Sequence, residues 1–116
     1  MLGQNLMQLT NNEAELAMVG CAILDCSCID KAIDCGVSVA DFADRRNAEI
    51  WESVVNLRNS GTDVDYLTIE ADLRKRGALE SVGSSYITGI TESVPMSANW
   101  RSYCDIITHL GKIRRA

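Results

Sequence analysis

The residues best equipped for chemistry are five cysteines, one histidine and a few neighbouring acids. Cys21, Cys26, Cys28 and Cys35 crowd one region and Cys104 stands apart. A structural zinc takes ligand pairs spaced by two to four residues, whereas this chain has no Cys-x-x-Cys pair and only His109 to add a ring nitrogen. The pattern fits reduced, buried or half-buried thiols in a reducing compartment. No histidine or arginine adjoins Cys21, Cys26 or Cys28 in sequence to draw out a nucleophilic thiolate. His109 has only Asp105 within a helical turn, which suits a solvent-facing or hydrogen-bonded imidazole better than a catalytic base. Asp63 and Asp65 sit close enough to suggest a cation, but a calcium loop also needs a central glycine and a downstream glutamate. The Gly-rich phosphate loop, Gly-x-Ser-x-Gly and His-Glu-x-x-His are all missing from the sequence. The expectation is a chain with no catalytic residue, no metal and no cofactor of its own.

The elements that would position these residues are helices. From Asn11 to Asp25, residues Leu16, Val19, Gly20, Ile23 and Leu24 fall at i, i+3, i+4, i+7 and i+8 and predict one apolar face. Asn11 or Asn12 can cap this helix, and Glu13 and Glu15 place negative charge at its positive end. Gly20 costs about 1 kcal/mol against alanine in mid-helix and marks a close approach by another backbone. Ile29, Ala32 and Ile33 predict a short helix over 28–35, stopped by Gly36, with Val37 and Val39 in a loop and Phe42 plugging the core. Over 46–59 the stripe is Ile50, Val54 and Leu57, widened by Trp51 and Val55.

After Gly61, Asp63 or Asp65 caps a helix over 66–76 carrying Leu67, Ile69 and Leu73. Residues 78–83 read as a connection. Ser84 or Ser85 opens a short helix with Tyr86, Ile87 and Ile90 that ends near Pro95. Ser97 is the expected cap of a long last helix bearing Trp100, Tyr103, Ile107 and Leu110, with Ile106 and Ile113 beside them and Gly111 as an interruption. The first helix is expected to pack on the Ile50–Leu57 stripe and on this last helix.

A chain of 116 residues fits one domain, 12–116, preceded by a flexible arm over 1–11. Apolar residues make up 47% and aromatics only 5%, which favours an aliphatic helical bundle. A net charge of -5 disfavours a phosphate-binding face. The basic clusters Arg74-Lys75-Arg76 and Lys112 to Arg115 fall at predicted helix ends, where cations complement the dipole. Met1 to Leu9 lacks the basic start and apolar run of a signal peptide. Leu16 to Leu24 is about half a membrane span. The chain is therefore expected in the cytoplasm, with no membrane partner.

Several of these landmarks resemble the N-terminal domain of DnaB-type replicative DNA helicases. The run from Glu13 to Asp25 is similar to that family's opening helix. Asp41-Phe42 followed by Ile50-Trp51 resembles its Asp-Phe and Ile-Phe pair. Gly61 through Asp65 to Thr68, and Leu73 before Gly77, follow in the same order. Val82-Gly83-Ser84-Ser85-Tyr86-Ile87 resembles its Gly-Gly and Tyr-Leu step, Val94-Pro95 through Asn99 and Tyr103 its Pro, Asn and Tyr spacing, and Arg114-Arg115 its closing arginines. Three positions depart: Thr10-Asn11 stands where the family has a proline, Asn47 where it has a histidine, and Ser84 where it has a second glycine. Such departures suggest a divergent member of phage or plasmid origin.

The resemblance implies an all-α, compact bundle of about six helices, the last long helix being the first arm of a helical hairpin that pairs subunits. In the family such domains form a collar over a ring of ATPase domains and dock primase and, in some systems, helicase loaders. ATP and Mg belong to the motor, whose motifs this sequence lacks, so the chain by itself is expected neither to hydrolyse ATP nor to unwind DNA. Its implied partners are copies of itself, as a dimer or a trimer of dimers within a hexamer, together with primase and a helicase loader, without direct nucleic-acid contact.

Trp100, Tyr103, Ile107, Leu110 and Ile113 present more apolar faces than one short bundle needs and are the candidates for self-association. Arg74, Arg76 and Tyr86 are the candidates for docking primase or a loader. Other readings stay open on sequence alone. One is a free-standing phage factor that mimics the collar to bind or block primase. A small helical DNA-binding module, whose affinity would fall steeply with salt, is another, and an enzyme of unrecognised class is a third.

Overall fold

The computed structural model describes residues 11–93 and 99–115. Among them run seven α-helices: α1 (Asn12–Leu24), α2 (Ser27–Asp34), α3 (Arg45–Asn59), α4 (Tyr66–Lys75), α5 (Leu79–Val82), α6 (Ser84–Gly89) and α7 (Trp100–Arg115). Two 3-10 turns, Val39–Asp41 and Ile90–Ser93, join them. No strand occurs among the described residues, in keeping with the all-α expectation. Residues 1–10 of the expected arm, and the expected cap Ser97, lie outside the described residues.

Asn11 caps α1 as its residue type requires, its Oδ1 accepting from the Ala14 N–H at 3.0 Å. The burial of α1 differs from the expected single stripe. Ala14, Glu15, Ala17, Met18, Val19, Gly20, Cys21 and Ala22 are all buried, so the helix is enclosed nearly all round. Leu24 is 59% exposed, and Leu16 and Ile23 are only half-buried. Small side chains, rather than the leucines, let neighbours close in on this helix. Those neighbours are α7, the Ile90–Ser93 turn and α3, which include both expected partners.

In α3 the stripe is as read for Ile50, Trp51, Val54 and Leu57, which are buried, while Val55 at its edge is half-buried. Phe42 stacks on Trp51 with ring centroids 5.5 Å apart, which places the single phenylalanine in the core. The indole Nε1 of Trp51 is buried and finds no hydrogen-bond partner among the described residues.

Asp65 caps α4 with a reciprocal box: Thr68 N–H donates to its carboxylate at 2.9 Å and its own N–H donates to the Thr68 hydroxyl at 2.9 Å. Ile69 and Leu73 are buried, but Leu67 is 77% exposed and takes no part in the core. Gly61 and Gly77, each at φ +74°, end α3 and α4 in the left-handed conformation. Residues 78–83 are more than a connection, because they contain α5, which buries Val82.

The expected interruption at Gly111 is absent, and α7 runs unbroken to Arg115. Glycine is needed there for a tertiary reason. A Cβ at Gly111 would stand 2.5 Å from Asp41 Oδ1 and 3.1 Å from Asp41 Cα, so the helix passes almost against the 3-10 turn. Arg114 Nη2 donates to the Asp41 carbonyl at 2.7 Å and Arg115 Nη1 to its carboxylate at 2.9 Å, which fastens the crossing.

Candidate partner-binding surfaces

Glu15 is the centre of a buried polar node. Its carboxylate accepts from the Ala43 N–H at 2.8 Å, the Asp44 N–H at 3.1 Å and Asn47 Nδ2 at 3.0 Å. The two backbone donors belong to the segment that leads into α3, so the side chain of α1 satisfies groups that α3 cannot satisfy itself. Asn47 also donates to Asn12 Oδ1 at 2.9 Å and accepts from the Tyr86 hydroxyl at 2.5 Å. One amide therefore joins α1, α3 and α6. Burial pushes the Tyr86 phenol up, with the nearby Asp44 carboxylate adding to the effect. Arg46 lies over the Tyr86 ring at 4.1 Å from its centroid and pairs with Asp44 at 3.0 Å, covering the node from outside. The hydrogen bond from Arg46 holds the Asp44 carboxyl below its ordinary value.

Arg76, at the end of α4, is taken up by an ion cluster. It pairs with Glu49 at 2.8 Å, Glu52 at 3.0 Å and Asp72 at 3.1 Å. Its Nη2 donates to the Ser53 hydroxyl at 2.6 Å and to the Glu49 carbonyl at 2.9 Å. Burial opposes ionisation of Asp72, but hydrogen bonds from Ser53, Arg76 and Asn56 together outweigh it and hold the carboxyl down. The three docking candidates thus sit in unlike places. Tyr86 is half-buried in the Glu15 node and Arg76 ties α4 to α3, while Arg74 is exposed beside a hollow of about 330 Å³ lined with Gly77, Leu79 and Glu80.

The self-association candidates on α7 divide by depth. Ile107 is buried in the core beside Cys104. Trp100 is half-buried, with Lys31 of α2 at 5.7 Å and Arg101 at 6.0 Å from its ring. Tyr103 and Leu110 are half-buried, and Ile113 is 42% exposed. With Ile106, 38% exposed, they complete a stripe at 103, 106, 110 and 113, the i, i+3, i+7, i+10 spacing of a helix seam. The first half of that stripe meets α1 in a groove of about 420 Å³. Glu13, Ala14, Leu16 and Ala17 line one wall, Tyr103 and Ile106 the other, and Asn11 one end.

No group of three or more metal-binding side chains gathers among the described residues. Cys26 is exposed; Cys21, Cys28 and Cys104 are buried, Cys35 is half-buried, and no disulfide joins any of the five. Desolvation pushes the Cys21 thiol up to about 11 and that of Cys104 to about 12, so neither forms a thiolate readily near neutrality. His109 is exposed. No described helix is long and apolar enough to cross a membrane.

The sequence reading missed Glu15 as a buried acceptor, Asn47 as a junction and Ile106 as part of the open stripe. Asn47 did carry a signal, since it replaces a histidine of the resembled family. Glu15 carried none, because its donors lie 28 and 29 residues away.

Comparison with known proteins agrees with this geometry. The family model described as the DnaB-like helicase N terminal domain matches residues 7–109. The replicative DNA helicase DnaB of Treponema pallidum is 34% identical over 98 residues, which cover 84% of this chain and 22% of that protein. For the replicative DNA helicase DnaC of Bacillus subtilis the identity is 33% over 106 residues, covering 90% of this chain and 23% of that one. The chain therefore spans less than a quarter of the length of these curated relatives. Among solved structures, the N-terminal domain of DnaB helicase from Mycobacterium tuberculosis superposes with a TM-score of 0.87 over 91% of this chain and 76% of that chain. At 24% identity that likeness establishes the fold.

Proposed function

Because the chain belongs to the family of DnaB-like helicase N-terminal domains, we propose that it is a non-catalytic interaction domain of a replicative DNA helicase. It pairs with other copies of itself along α7 in the helicase collar and offers its outer surface to primase or a helicase loader. ATP and Mg act in the motor of the whole helicase and not on these residues. The observation that supports pairing is the stripe of Tyr103, Ile106, Leu110 and Ile113 on a helix whose other side, through Cys104 and Ile107, already completes the core. Apolar residues at seam spacing left open on the last element favour a second helix as their cover.

Sedimentation equilibrium tests this reading. The chain is expected to self-associate as its concentration rises, and Ile113→Asp to abolish the association while leaving the helical spectrum intact. Wild-type protein that stays monomeric at every concentration would overturn it. Docking rests on Arg74, which is exposed beside a hollow, and on the Arg46–Tyr86 stack. Fluorescence anisotropy with purified primase is expected to show Arg74→Glu or Arg46→Glu weakening binding by about tenfold, or 1.4 kcal/mol. Unchanged affinity in both variants would remove these positions from the docking surface.

A further inference from the structure

Asn47 lies wholly inside the polar node, yet it holds the ring that the node shows to solvent. It is 0% exposed, so no partner can touch it. Its Nδ2 spends both hydrogens, on Asn12 Oδ1 at 2.9 Å and on Glu15 Oε1 at 3.0 Å, and its Oδ1 accepts from the Tyr86 hydroxyl. The amide cannot turn over, because a carboxylate only accepts and must face Nδ2. Its oxygen is thereby aimed at Tyr86.

Tyr86 stands on α6, a helix of only six residues, and the bond to Asn47 ties the far end of its ring to α3. Arg46 lies on that ring with its Cζ 4.1 Å from the centroid and its side chain 44% exposed. At the edge of the guanidinium, Nε and Nη2 donate to the Asp44 carboxylate at 3.2 and 3.0 Å, and the Asp44 N–H in turn donates to Glu15 at 3.1 Å. Two routes from the node, one through Tyr86 and one through Asp44, converge on one guanidinium. Its Nη1 donates to no described residue and is the group left for an incoming acceptor. A guanidinium held in advance loses less freedom on binding than one that must first be ordered.

Given docking at the Arg46–Tyr86 stack, as proposed above, we propose that Asn47 is the positioning residue of that surface: it fixes the Tyr86 ring under Arg46 and so presents Nη1 to a hydrogen-bond acceptor on primase. Asn47 itself stays out of the contact.

Two measurements on the full chain test this role. The ring current of Tyr86 displaces the Arg46 side-chain protons upfield in the NMR spectrum, and fluorescence anisotropy with purified primase reads affinity. Tyr86→Phe keeps the ring and removes its hydroxyl; Asn47→Ala removes the acceptor. Each is expected to return the Arg46 protons toward their unstacked positions and to weaken primase binding about fivefold, the cost of ordering one free side chain. Val54→Ala, which loosens the α3 core about two turns away, is expected to do neither. Tyr86→Phe leaves the bonds of Asn47 to Asn12 and Glu15 in place, so it decides where the two variants disagree. Arg46 signals unmoved, or affinity unchanged, would overturn the proposal. Equal losses in Val54→Ala would overturn it too, tracing them to stability alone. Affinity unchanged in Arg46→Glu is a different failure, which removes the stack from the docking surface and the role of Asn47 with it.

Discussion

The two sides of α1 end in opposite ways. On one, Glu15 reaches across to α3 and the segment that leads into it and finds three donors, so its buried carboxylate is enclosed. On the other, Ala14, Leu16 and Ala17 meet α7 only in part and leave an apolar groove that continues into the exposed stripe of Ile106 and Ile113. The difference teaches where to look for function. A satisfied polar node fixes geometry and presents only its Arg46–Tyr86 cover to a partner, whereas unfinished apolar surface gains from being covered. The Arg76 cluster belongs with the node, because its guanidinium is spent on three carboxylates, a hydroxyl and a carbonyl.

The contrast breaks most visibly at its centre. Glu15→Leu leaves the Ala43 and Asp44 N–H groups and Asn47 Nδ2 without their acceptor; at about 1–3 kcal/mol per stranded donor, not fully additive, the loss is about 3–4 kcal/mol. Urea denaturation reads it as a lowered midpoint. A loss below about 1 kcal/mol would show that water replaces the carboxylate and that the node is not closed.

Next in size is Arg76→Met, which keeps the stem but leaves Asp72, Glu49 and Glu52 facing one another; about 2 kcal/mol is expected at neutral pH. The variant also carries a pH signature. The Asp72 carboxyl is held below its ordinary 3.8, so its contribution is complete above that value and is lost as pH falls through the depressed folded value. Acid titration followed by circular dichroism should therefore show the wild type losing stability below about pH 4 more steeply than the variant.

Gly111→Ala sharpens the comparison by sign. Helix propensity alone favours alanine by about 1 kcal/mol, yet the new Cβ meets Asp41 backbone and carboxylate in a fastened crossing. A net loss of about 1–2 kcal/mol in thermal unfolding is expected, and a gain would mean that the 39–41 turn yields freely. On the open side, Ile113→Asp should change stability by less than about 0.5 kcal/mol, since nothing in the core depends on it. A larger loss in dilute solution would place Ile113 among the packed residues.

The sequence reading reached furthest where partners are local. Asn11 and Asp65 cap helices through groups three residues away, and the α3 stripe follows from spacing alone. It failed where a distant element decides. Gly111 looks like a helix break until Asp41 is found against it, and Glu15 looks like a dipole charge until Ala43 and Asp44 are found within its reach. Leu24 and Leu67 fit the apolar patterns but lie on the surface, because the buried stretch of α1 ends at Ala22 and because α4 buries only Ile69 and Leu73. Of the candidate surfaces, the α7 stripe was partly legible from its repeat. The Arg46–Tyr86 stack was not, since it depends on where α6 lands relative to α3.

The most direct test of the central claim, that self-association belongs to the open apolar side and not to the polar node, is a map of amide chemical shifts against protein concentration. Residues around Leu110 and Ile113 are predicted to move as the chain pairs, while Glu15, Asn47, Glu49 and Arg76 stay fixed. Movement centred on the node or on the Arg76 cluster, with α7 unchanged, would contradict it.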